Sequence, residues 1–99
     1  MNSAASSKKF VIAASHPALP GHFPGHPVVP GVILLDHVAA AIERGVQGAR
    51  IAGFAQVKFL HPLLPEQSAE LIIDSGPALR FRIVAGTQLL ATGSVELRT

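Results

Sequence analysis

Five of the eight prolines of this chain, Pro17, Pro20, Pro24, Pro27 and Pro30, crowd into one stretch, the last three at a strict three-residue interval. Each proline fixes its own φ and pushes the preceding residue toward extended geometry, so the stretch cannot be helical and reads as a stiff, shaped loop. Directly beyond it, residues 32–44 (VILLDHVAAAIER) are rich in helix formers and are followed by Gly45, while Pro30 stands where a proline is tolerated at a helix start. A single helix of about 12 residues is predicted there. It is apolar almost all round, with no polar face before Glu43 apart from Asp36 and His37, which predicts a helix surrounded by protein.

The rest of the chain reads as strands. Residues 10–14, 50–60, 68–75, 79–85 and 88–98 carry β-branched and apolar side chains in partial alternation, separated by breaker clusters at 61–65, 75–77 and 85–87. The clearest period of two is Leu79-Arg80-Phe81-Arg82-Ile83, three apolar residues on one face and two arginines on the other. One strand, a loop, a buried helix and four strands joined by short turns predict an α+β fold, an antiparallel sheet of about five strands around one central helix.

With 99 residues the chain makes one domain, residues 1–99, and its polar start, residues 1–9, is expected to be flexible. At 48% hydrophobic and 14% charged it is more apolar than a typical soluble domain, so part of its surface is expected to meet another subunit. The absence of cysteine excludes a disulfide scaffold. No apolar run reaches the roughly 20 residues that span a bilayer, and no signal-peptide core is evident, so a soluble, cytoplasmic protein without membrane association is expected. The eight basic residues are scattered, unlike the basic stripe that nucleic-acid binding requires, although a net charge of +2 suits an acidic protein partner. Arg44, Arg50, Arg80 and Arg82 are the candidates for docking one.

The chemistry concentrates in GHFPGHPVVPGVILLDH, residues 21–37. Asp36 sits in an apolar helix, where a buried carboxylate must be paired, hydrogen-bonded or protonated; the plain alternative is a small exposed window. His22, held between Gly21 and Phe23, could take or give a proton near neutral pH, or could simply bond to backbone as loop histidines do. His22 and His26 are spaced as a helical metal pair would be, but Pro24 and Gly25 forbid that helix, and no metal site is expected. His16, His37 and His61 read as loop or surface histidines. Pro30-Gly31-Val32 opens the helix, whose first N–H groups lack intrahelical acceptors and carry the positive end of the dipole. Together these residues offer a base, an acid and an oxyanion donor, the needs of proton abstraction beside a thioester carbonyl.

GHFPGHPVVPGVILLD resembles the signature of the bacterial 3-hydroxyacyl-(acyl carrier protein) dehydratases, H-F-P-G-x-P-x-x-P-G-V followed by an apolar helix bearing Glu or Asp. The likeness runs on through Phe54-Ala55-Gln56-Val57-Lys58-Phe59 and His61-Pro62-Leu63-Leu64-Pro65, similar to the family's A-x-F-x-x-P-V-x-P-G-D stretch, and into the terminal hairpin. It implies a hot-dog fold and a side-by-side homodimer whose sites take a histidine from one subunit and a carboxylate from the other. By position, His22 would remove the C2 proton of a 3-hydroxyacyl thioester, Asp36 would protonate the departing 3-hydroxyl, and the N–H groups of Gly31 and Val32 would bind the thioester carbonyl. Phe23, Pro24, Gly25 and Pro30 would form the substrate loop. The implied product is a trans-2-enoyl thioester, made without metal or organic cofactor in fatty-acid or related lipid and pigment synthesis, with acyl carrier protein as partner.

Several positions depart from the pattern. Asp36 resembles the acid of the branch that both dehydrates and isomerises, whereas the PGV around it is similar to the dehydration-only branch; Ala40 stands where the latter has Gln, and Glu66-Gln67 replace the Gly-Asp after the second proline, so that turn is expected to differ. A hot-dog thioesterase and a non-catalytic or half-catalytic subunit of a heterodimer are the competing readings.

Overall fold

The computed structural model describes residues 5–13, 28–45, 48, 50–75 and 78–98. They form β1 (Ala5–Phe10), α1 (Gly31–Gly45), β2 (Ile51–Phe59), β3 (Ala69–Ser75), β4 (Leu79–Ala85) and β5 (Gln88–Leu97). The strands make one antiparallel sheet in the order β1-β3-β4-β5-β2, with α1 against its inner face. This is the hot-dog architecture expected from the sequence.

Alternation along β4 follows the sequence pattern: Leu79, Phe81 and Ile83 are buried, and Arg80 and Arg82 are exposed. Phe81, Ile83, Leu71 and Leu90 from the sheet, Val38 and Ile42 from the helix and Leu63 from the loop after β2 are the largest fully buried side chains. No polar or charged residue is buried among the described residues, so the core is held by apolar burial. The β4–β5 connection is the two-residue turn Gly86-Thr87, with Gly86 at φ 60, the position that a tight hairpin of this kind reserves for glycine.

Two elements differ from expectation. The first strand lies at Ala5–Phe10, upstream of the expected 10–14, so residues 5–9, expected to be flexible, pair with β3. Ladder bonds are made by backbone, so Lys8 and Lys9 do not prevent them, and Phe10 and Ile12 both still reach the core. The sequence predicts a helix surrounded on all sides, yet only Leu34, Val38 and Ile42, at four-residue steps, are fully covered within one protomer. Val32 is 63% exposed, and Asp36, Glu43 and Arg44 are exposed too.

One irregularity of β2 directs the site. Ala55 pairs with Ser94 and Lys58 with Thr92, so Gln56 and Val57 stand opposite the single residue Gly93, a β-bulge in which Gln56 takes φ 54. The extra residue reverses the side-chain phase: Phe54 contacts the core ring of Phe81, edge to face at 5.9 Å, and beyond the bulge Phe59 is on the helix side of the sheet, paired with buried Ala91 while half of it stays exposed. Gly93 accommodates this because a Cβ there would lie 2.8 Å from the Phe81 ring and 3.2 Å from Val57 Cγ2. Gly93→Ala should therefore overpack the core and cost about 1–3 kcal/mol in urea denaturation; an unchanged midpoint would show that the bulge has slack.

Candidate active site

The amino end of α1 is fixed to the chain that follows β2. The carbonyl of Pro30 accepts hydrogen bonds from the N–H groups of Ile33 (3.0 Å) and Leu34 (3.4 Å), which makes Pro30 the last residue before the helix and puts Gly31 and Val32 in the first turn. The N–H groups of Gly31 and Val32 have no acceptor within the helix. Just before it, buried Val29 donates from its backbone to the carbonyl of fully buried Leu63 at 2.8 Å. Leu60 and His61 donate in turn to Leu90 O at 2.7 and 3.2 Å, so the segment carrying the helix start is anchored to β5.

Phe59 completes the arrangement. A Cβ built on Gly31 would fall 2.7 Å from Phe59 Cζ, so the ring rests on the α-carbon of Gly31 and no larger residue fits without moving it. The sequence points Gly31 toward ligand approach and does not reveal this contact, although Phe59 opens the F-x-x-P stretch that carries part of the resemblance. An open groove of about 340 Å³ runs beside the helix start, walled by Val29, Leu34, Phe59, Leu60 and Leu63. It is apolar except for the backbone of the first turn and His61, whose Nδ1 lies 3.1 Å from Leu89 O at the surface, where the sequence places it.

Asp36 is one turn beyond Val32 on the same helix face, about 7.5 Å along the axis from Gly31 at 1.5 Å per residue. Its carboxylate is exposed in the protomer. Pro30, Gly31, Val32 and Asp36 thus share the amino-terminal part of α1, with Gly31 lining the groove and Val32 and Asp36 on the open face. His22 and the loop residues Phe23, Pro24 and Gly25 lie outside the described residues, as do His16 and His26.

The turn at Glu66-Gln67 has a left-handed backbone at a non-glycine residue. Glu66 takes φ 67, its N–H donates to Ile12 O at 2.8 Å, and Gln67 Oε1 accepts the N–H of Leu64 at 3.0 Å. The Gln67 side chain closes the turn from within.

His37 corrects the expectation of a loop or surface residue. It lies on α1, half-buried, with its ring 4.3 Å from that of Phe10. Burial, then the positive charges of Lys8 and Arg44, lowers its pKa below the ordinary 6.5. The unfolded chain therefore binds this proton more readily than the folded one, and the contribution of neutral His37 to stability is lost as pH falls below about 6.5. His37→Phe should show a smaller loss of stability between about pH 7.5 and pH 5 than the parent in denaturant titrations; equal losses would place the acid sensitivity elsewhere.

Residues 2–94 match the model of the ApeI-like family, described as the ApeI dehydratase. The chain belongs to the ApeI-like dehydratase family. Among curated proteins, it is 35% identical over 80 residues to the 3-hydroxyacyl-(acyl-carrier-protein) dehydratase FabZ of Thermus thermophilus, covering 72% of this chain and 54% of that protein. The FabZ of Haemophilus influenzae is 33% identical over 72 residues, covering 64% and 49%. This ApeI-like chain therefore spans about half the length of the curated relatives it matches. Among solved structures, the dehydratase heterocomplex ApeI:P from Xenorhabdus doucetiae superposes with a TM-score of 0.83 at 26% identity, covering 96% of this chain and 88% of that one. A point mutant of the fluoroacetyl-CoA-specific thioesterase FlK superposes at 0.63 with 13% identity over 96% and 84% of the two chains, a likeness of fold alone.

Proposed function

We propose that this ApeI-like chain dehydrates a 3-hydroxyacyl thioester carried on acyl carrier protein, giving the trans-2-enoyl thioester and water. The observation that carries the reading is that Asp36 and the first-turn N–H groups of Gly31 and Val32, unbonded among the described residues, lie within six residues of one another on α1, whose start borders an apolar groove. Neutral His22 takes the C2 proton, and the electron pair of that C–H bond forms the C2=C3 double bond as the C3–O bond breaks. Asp36 supplies a proton to the departing hydroxyl, which leaves as water. Negative charge that develops on the thioester oxygen is held by the N–H groups of the first helical turn, where the dipole is positive and dry surroundings strengthen it. Proton transfer through solvent from His22 back to Asp36 restores the starting state.

The exposed face of α1, with Val32 and Asp36 open to water in one protomer, supports a site closed by a second subunit. A homodimer in which His22 of one copy meets Asp36 of the other satisfies that need. A related but different subunit is the second reading, favoured by the superposition on a dehydratase heterocomplex.

Purified protein incubated with a 3-hydroxyacyl carrier protein should develop the ultraviolet absorbance of a conjugated enoyl thioester. His22→Ala and Asp36→Asn should each lower the rate by about 10²–10⁴-fold while leaving the melting temperature near that of the parent. Release of free thiol without enoyl product would replace the reading with a thioesterase, and full activity in either variant would remove that residue from the mechanism.

A further inference from the structure

The end of α1 opposite Gly31 carries a second concave surface. A cavity of about 340 Å³ lies between the last turns of the helix and strands β1 and β3. Ala41, Leu71 and Ile73 give it an apolar floor, and exposed Ser7, Lys8 and Arg44 form its rim. Its floor residue Ala41 lies about 7.5 Å along the helix from Asp36 and about 15 Å from Gly31.

Two features of this cavity, Lys8 and Arg44, go together with a third beside it, His37, which feels both charges without lining the cavity. Lys8 pairs with Leu71 across β1 and β3, so it stands on the core-facing side of its strand with Phe10, where an apolar residue is usual. A charge turned inward on an edge strand does discourage further pairing, but that explains neither of the other two features. Arg44 approaches the same cavity from the helix, and among the described residues neither cation has an acidic partner; the ion pair found there is Arg82 with Asp74. His37, Ala41 and Arg44 follow one another at i, i+4 and i+7 on one helix face. The Nε2 of His37 is buried without a hydrogen-bond partner among the described residues, a state that is costly to leave unmet. The charged groups acting on this ring are Lys8 from β1 and Arg44 from α1, while β3 contributes apolar Leu71 and Ile73 to the cavity.

We propose that this cavity is a binding site for an anionic amphiphile, a carboxylate with a short alkyl chain. The chain lies on Ala41, Leu71 and Ile73, and the carboxylate sits between Lys8 and Arg44, offsetting their mutual repulsion. Because a bound anion also relieves the repulsion of both cations against protonated His37, ligand and proton favour each other. Binding tightens as the pH is lowered into the histidine range.

Octanoate, octanol and acetate titrated into isotope-labelled full-length protein, with the His37 ring resonances followed by NMR, test the assignment. Octanoate should saturate and shift those resonances at concentrations at least about tenfold below any effect of octanol or acetate, and should raise the apparent pKa of His37. Lys8→Gln and Arg44→Gln, both on exposed side chains, should each weaken octanoate binding, and the pair together should weaken it by about tenfold or more with little change in melting temperature. Unchanged affinity in a folded single or double variant, octanol binding as well as octanoate, or shifts confined to residues around Gly31 would each overturn the proposal.

Discussion

The ring of Phe59 fills the space that a side chain at position 31 would need, and this contact joins the helix to the sheet at the point where the chemistry is proposed. It depends on a chain of local causes. Gly93 leaves room for Phe81 and Val57, the room admits a bulge at Gln56-Val57, and the bulge turns Phe59 to the helix side of the sheet. Without the additional residue in β2, strict alternation would send Phe59 to the outer face and Lys58 toward the helix. The Val29 to Leu63 hydrogen bond then holds the helix start at that place.

Much of this is legible in the sequence because it rests on local chemistry. Pro30 marks the helix start, the Gly86-Thr87 turn marks a hairpin, and the alternation of β4 separates Phe81 from Arg80 and Arg82 without reference to any neighbour. The bulge is not legible, since it is set by what Gly93 leaves open across the sheet, far away in sequence. His37 escapes a sequence reading for a similar reason: its burial comes from Phe10, on a strand that begins at Ala5 and not at residue 10 as the hydrophobic pattern suggests. The resemblance to dehydratases, by contrast, rests on residues whose spacing is itself the signal, and the family match over residues 2–94 agrees with it.

Helix α1 is covered on one face and open on another. Leu34, Val38 and Ile42 are core side chains of one protomer, while Val32 and Asp36 remain open on another face. A carboxylate on an open face of an apolar helix is inexpensive in the protomer and becomes costly, and reactive, when a second chain excludes water from it. That coupling of assembly to chemistry is the centre of the proposed function, in which acid and base meet only across two copies.

Mixing two inactive variants tests it most directly. His22→Ala and Asp36→Ala proteins, each purified, combined and allowed to exchange subunits, form mixed dimers in which one of the two shared sites regains both residues. With half the dimers mixed and one intact site in each, about a quarter of the parent dehydratase rate should return. A mixture as inactive as either variant alone, with exchange verified by mass, would contradict a site built from two copies of this chain.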